Sequence, residues 1–400
     1  MNKNLFSYLM VIMAFAAFTL TSCGDDEDDN NTTGNSVRYD LEERTDSDVS
    51  GDIEFTELTN GQIQAVISLS GTNNGETHPA HIHMNSAALG GDILVSLTPV
   101  AGATGNSVTI FDEDDSGNAI VFSQIENLDA YVNVHKSATE LEVIVAQADI
   151  GINELTGESK TYELDERAVD GISGEVTFRE RKSGNAVAEI SLDGTPNGGL
   201  HPAHIHMNSA AESGGILLTL TSVDGTTGKS LTEIRNADDG TDFNYNNVLT
   251  SNAYINVHLS ATELATIVAQ GDIGSNELTG EEETFDLDEK DAPGISGEIT
   301  FAERVDGTVL ATIELDGTPD GGMHPAHIHD NDAATGGPIA VSFNPVDGTT
   351  GISRTSLRTL DNGTAINFQS LSIFDGYVNV HFSANDLATI VAQGNIGIND

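Results

Sequence analysis

The residues of this chain best suited to chemistry are its 12 histidines, which fall at four equivalent positions in three copies. The first set is His78, His81, His83 and His135. The second is His201, His204, His206 and His258, and the third is His324, His327, His329 and His381. Alternate residues of a strand share a face, so His81 and His83 point the same way while Ala80, Ile82 and Met84 point the other. In Tyr131-Val132-Asn133-Val134-His135 the valines are expected inside, with Tyr131, Asn133 and His135 on the opposite face. If those two strands are neighbours, three imidazoles converge, and His78, just across Pro79, could supply a fourth. Imidazoles without thiolates suit zinc, copper or nickel better than calcium or magnesium. Copper is favoured on affinity, but availability decides in a cell, so the expected cofactor is copper or zinc. Met84 and Met207 follow the motif, yet Asp330 stands there in the third copy and strand parity turns the position away, so methionine is not a ligand. Tyr131, Asn133, Tyr254, Asn256, Tyr377 and Asn379 are expected to support the ligands by hydrogen bonds. The competing reading is a structural histidine cluster, copied with its domain.

The elements that must position these residues come in a strict repeat. His-Pro-Ala-His-Ile-His recurs every 123 residues, as do the segments beginning Tyr39, Tyr162 and Phe285 and those beginning Tyr131, Tyr254 and Tyr377. This divides the chain into units 31–153, 154–276 and 277–400, long enough for independent domains rather than solenoid turns. The junctions at 153–157 and 276–280 are short, so neighbouring units should touch. Alternating or β-branched runs such as Ile63–Leu69 and Ile93–Leu97, separated by Gly, Asn, Asp and Pro, predict an all-β fold. The expected fold class is three tandem antiparallel β-sandwich domains, with a barrel as the related alternative. Ser137, Ser260 and Ser383, each followed three residues later by an acidic residue, predict a short helix after the last histidine strand of each unit.

The N-terminus reads as an export signal. Lys3, the apolar stretch Leu5–Leu20 and Leu20-Thr21-Ser22-Cys23 resemble a bacterial lipobox, which implies a signal peptide over 1–22 and acylation of Cys23. Cys23 is the only cysteine, so no disulfide staples the fold. The acidic run that follows predicts a solvated tether over 23–35. It resembles the export signals of surface lipoproteins of the Bacteroidetes, which implies the cell envelope and the outer face of the outer membrane, with the lipid anchor as membrane partner.

Charge narrows the partners. With 63 acidic against 15 basic residues and a net charge of −48, the surface disfavours nucleic acid and anionic lipid and favours cations. The acidic turn Asp112–Asp115 lacks the Asp-x-Asp-x-Asp-Gly spacing of a calcium loop and reads as solvated.

Ala80-His81-Ile82-His83, the turn and strand Gly90–Val95, and Tyr131–His135 resemble the CHRD domain family, named for chordin. The resemblance covers most of each unit. It implies an all-β sandwich whose His-x-His strand is similar to the copper strand of copper/zinc superoxide dismutases, with His81, His83 and their copies matching and His135 a looser counterpart. The chain departs from the family after His135, where a helix-like segment replaces the Gly-rich turn. The closing strand's nearest relative, from Leu155, falls at the start of the next unit.

Three functions follow. The first is a surface lipoprotein with three transition-metal sites, for capture or buffering. The second is a structural or adhesive array with a protein or glycan partner, although few aromatics are present for stacking on sugars. The third is copper-dependent superoxide dismutation, which a net charge of −48 opposes by repelling the anionic substrate. No nucleophile–base pair or phosphate loop stands out, so the reading leans away from an enzyme.

Overall fold

A computed structural model describes residues 31–45 and 47–400. The expected signal peptide, the acylation site Cys23 and the tether up to residue 30 lie outside the described residues. The remaining tether residues are not loose. Thr32 opens a strand in which Thr33 bonds the Glu57 carboxylate at 2.8 Å.

The chain is almost entirely antiparallel β-structure. In the first unit the strands are β1 (Thr32–Glu43), β2 (Ser50–Leu58), β3 (Ile63–Ser70), β4 (Thr77–Met84), β5 (Ile93–Ala101), β6 (Asn106–Phe111), β7 (Asp129–Ser137) and β8 (Glu140–Gly151). They are ordered β1-β2-β3-β6-β5-β4-β7-β8, and β8 pairs back onto β1 to close a barrel. Closure leaves no open edge to recruit another strand. Period-two patterning builds the core: Ile63, Ala65, Ile67 and Leu69 point inward from β3, Ala80 and Ile82 from β4, and Val132 and Val134 from β7.

The second unit repeats the closed barrel, and its first strand, Leu155–Glu166, pairs within that barrel. The strand at the domain junction therefore belongs to the unit that follows it. In the third unit the counterpart of β4 is split at Pro325 into Met323–His324 and Ala326–Asp330. Asn344-Pro345 likewise interrupts the counterpart of β5, which leaves an eight-stranded sheet and a two-stranded ribbon. Proline has no N–H to give a ladder, but Pro79, Pro202 and Pro99 stand at the equivalent positions inside unbroken strands, so proline alone does not account for the breaks.

Each unit has one short helix, but before the last histidine strand rather than after it. These are the 3-10 helix Phe122–Asn127 and the α-helices Tyr245–Thr250 and Phe368–Ser372. The segment expected to be helical is a hairpin in the first and third units: Ser137 pairs with Glu140, and Ser383 with Asp386. In the second unit it is a turn leading into the strand Ile267–Gly274. The run Val143-Ile144-Val145 explains the error, because β-branched residues prefer the pleated sheet that β7 offers.

The barrels meet through buried arginines. Arg181 is 2% exposed and donates to Glu233 at 2.7 Å within its own barrel and to Asp149 of the first at 2.8 Å. Arg304, 123 residues on, donates to Asp272 of the second barrel at 2.8 Å.

Candidate metal centre

The three-histidine cluster lies on the outer face of the barrel wall. In the β4–β7 ladder His81 faces Asn133 and His83 faces Tyr131, so the expected sharing of faces holds. His135 follows a break in register between β7 and β8, and the same break precedes His258 and His381. A bulge of this kind re-aims a side chain. One ring nitrogen from each of His81, His83 and His135 lies within 4.8 Å of the other two, and the triads His204/His206/His258 and His327/His329/His381 repeat the arrangement.

Backbone carbonyls fix the ring tautomers. His83 Nδ1–H donates to the Gly91 carbonyl at 3.0 Å, and His206 and His329 do the same to Gly214 and Gly337. His258 Nδ1–H donates to the Leu264 carbonyl at 2.6 Å and His381 to that of Leu387 at 2.7 Å; His135 has the same bond to Leu141. A carbonyl only accepts, so each of these imidazoles, when neutral, carries its free lone pair on Nε2. His135 Nε2 stands 3.0 Å from His81 Nδ1, and His258 Nε2 stands 3.1 Å from His204 Nδ1. The Nε2 atoms of His83, His206 and His329 are buried and have no hydrogen-bond partner.

The surroundings hold these rings in place. Tyr131 stacks on His83 with ring centroids 4.9 Å apart, and Tyr254 and Tyr377 stack on His206 and His329 at 5.0 Å. The Tyr254 and Tyr377 hydroxyls accept from the N–H of Gly214 and Gly337, the residues whose carbonyls hold the histidines. Asn133 accepts from Gln147 at 2.8 Å, and Gln147 accepts from Arg44 at 3.0 Å. Asn256–Gln270–Arg167 and Asn379–Gln393–Lys290 repeat that relay. Burial pushes the pKa of His81, His204 and His327 below the usual histidine value, and the neighbouring histidines add to it. Burial does the same to His135, His258 and His381.

His78, His201 and His324 stand apart from the triads. The ladder shifts register between His78 and Ala80, at Pro79, and the ring turns into the barrel wall, 2% exposed. Its Nδ1–H donates to the backbone carbonyl of His135 at 3.2 Å; His201 and His324 donate to His258 and His381 at 3.3 Å. The expected fourth ligand thus braces the strand that carries the third.

Sequence reasoning missed three supports. The carbonyls of Gly91 and Leu141 leave no side-chain signature. Gln147, Gln270 and Gln393 recur at the repeat spacing, which is the signal that could have found them. Asp115, in the turn read as merely solvated, recurs as Asp238 and Asp361. It accepts from Ser96, the residue facing His81 across the β4–β5 ladder, and the copies repeat the bond.

The donor set fits a late first-row ion. Nitrogens about 2.0–2.1 Å from a shared ion lie roughly 3.3 Å apart in tetrahedral geometry, so the cluster needs only a modest closing movement. Three protein ligands leave one position open for water or another small donor. No curated protein and no solved structure matches the chain. Residues 154–263, which contain the second triad and His201, match the CHRD domain family.

Proposed function

We propose that the chain is an acylated envelope protein whose three CHRD-type repeats each bind one copper or zinc ion, for capture or buffering at the outer membrane surface. The extension of the CHRD reading to the first and third units rests on the unbroken 123-residue repeat and on the same histidine geometry in each. The observation that carries the metal reading is the convergence of one ring nitrogen from each of three histidines to within 4.8 Å, repeated in all three units, with the Nε2 of His83, His206 and His329 buried and unpartnered in it. An unpaired buried Nε2 is not by itself the mark of a ligand, since His78, His201 and His324 carry one outside the triads; its place among converging imidazoles is what favours an ion. Capture is favoured over superoxide turnover because a net charge of −48 attracts cations and repels that substrate. Acylation at Cys23 and residence on the outer face rest on the lipobox-like and acidic segments alone.

Equilibrium dialysis of residues 31–400 against copper(II) or zinc, read by metal mass spectrometry, tests the reading. Three ions per chain are expected, all lost in the His81→Ala/His204→Ala/His327→Ala variant. Retention of no ion, or equal retention by the variant, would leave the histidines structural and move the adhesive array to first place.

A further inference from the structure

The outer face formed by β3 and β6 does one job in the later units and, among the described residues, lacks a partner in the first. In the second barrel the positions equivalent to Gln64, Val66, Val108 and Ile110 are Val187, Glu189, Leu231 and Glu233. Glu233 accepts from Ser86 of the first barrel at 3.1 Å, and Val187, Glu189 and Leu231 line the cleft between those barrels. In the third unit, Leu310 and Arg354 line the cleft with the second barrel. This face therefore seats each barrel on the one before it.

No barrel precedes the first among the described residues, yet its copy of the face is the most apolar of the three. Val66 replaces Glu189 and Thr312, Val108 replaces Leu231 and Arg354, and Ile110 replaces Glu233 and Ser356. Cross-strand pairing puts Val66 beside Val108 and Gln64 beside Ile110. Ile110 is 54% exposed where its counterpart Glu233 is buried by the junction, and Val108 is 48% exposed where Leu231 is 43%. Release from an interface removes any reason for an apolar face in a chain this charged, so something else covers it.

The chain enters at the same end. The Asn31 carbonyl accepts from Thr59, next to Leu58, and the equivalent of Thr59 is Lys182, whose N–H donates to Glu154 at the first junction. From Asn31 back to Cys23 is eight Cα steps, a reach of at most about 28 Å. We propose that the Val66/Val108/Ile110 face rests on the lipid surface to which acylated Cys23 fastens the chain, a proposal that depends on the acylation reading above. None of its four positions is charged, although Glu54 and Asp112 flank it, so the surface it fits is zwitterionic rather than anionic. A second copy is the poorer occupant, since two chains of −48 repel.

The test uses the acylated full-length chain in phosphatidylcholine vesicles. Acylation blocks Cys23, so an environment-sensitive fluorophore can be attached to Gln64→Cys, with exposed Val305→Cys on the third barrel as control. Brominated lipid should quench the label at 64 by roughly twofold or more and leave that at 305 unchanged. Quenching at 64 should vanish in Val108→Arg/Ile110→Glu, residues that the third and second copies carry at these positions and that the fold accepts. No quenching at 64 while the chain still sediments with vesicles through Cys23 would overturn the docking and leave the acylation reading intact. Sedimentation that ignores Cys23→Ser would remove both. Shielding of the label without vesicles, with cross-links between copies, would show that a second copy covers the face and would likewise overturn the proposal.

Discussion

Replacing Arg181 with leucine removes the more buried of two arginines at the first junction, leaving Arg235 with Asp129 at 2.7 Å and with Glu233 at 3.4 Å, and the cost can be worked from the groups left behind. Its guanidinium is 2% exposed and holds Glu233 at 2.7 Å and Asp149 at 2.8 Å. Burial is the largest influence on Glu233 and holds its pKa above the usual carboxylate value even with Arg181 present. A carboxyl whose folded pKa is raised destabilises the fold progressively as pH climbs through that pKa. Without Arg181 the penalty at pH 7 should reach about 3–5 kcal/mol, the range for breaking a buried pair on one side. For a barrel of this size that lowers the melting temperature by about 10 °C or more. The loss should shrink as pH falls and Glu233 takes up its proton. Arg181→Leu/Glu233→Ile restores the pair found at Leu58 and Ile110 in the first barrel and should recover most of the loss, because the fully buried carboxylate goes with its partner and the partly exposed Asp149 keeps its bond from the Ala87 N–H. Differential scanning calorimetry of residues 31–400 reads both variants. A fall of under about 2 °C for the single variant, or a double variant no better than the single, would refute the reasoning.

Other outcomes follow from the site. Gln147→Leu removes the donor that holds Asn133 opposite His81 and should weaken metal binding at the first site by about tenfold, with the other two unchanged, in a competition titration. Gly91→Ala places a Cβ 2.0 Å from the Met84 carbonyl, so the loop must shift and the carbonyl that orients His83 moves with it. Calorimetry and metal titration should both register that change. The lowered pKa values of His81 and His135 mean that protons compete weakly near neutrality, so apparent affinity should hold at pH 6.5 and fall at lower pH. The metal-free barrels should lose stability over the same range, since the unfolded chain takes up histidine protons first as pH drops below about 6.5.

The parts legible in the sequence were those set by local pattern. Two-residue periodicity put His81 and His83 on one face and Val132 and Val134 in the core, and the 123-residue period revealed the three units. What escaped the sequence was set by tertiary partners. Ser137 and Glu140 satisfy a helix-capping pattern, yet they pair across a hairpin because β7 offers the following valines and isoleucine a ladder. The first unit's actual helix begins after Val121, a residue with no capping side chain, so only Asn244 and Asn367 in the later units signalled it. His78 resembles its neighbours in type, and only the bulge at Pro79 reveals that it bonds the backbone of His135 instead of joining the triad. The junction arginines are visible as Arg181 and Arg304, but the carboxylates they reach across to, Asp149 and Asp272, lie in the preceding domain.

The central claim is that each triad holds one ion through three imidazoles. Anomalous diffraction at the copper or zinc edge from metal-loaded crystals of residues 31–400 tests it most directly. The account predicts three peaks, each about 2.0–2.1 Å from one nitrogen of all three histidines in its triad, with His78, His201 and His324 still bonded to the backbone. Peaks at the acidic loops alone, or none within reach of the triads, would contradict it.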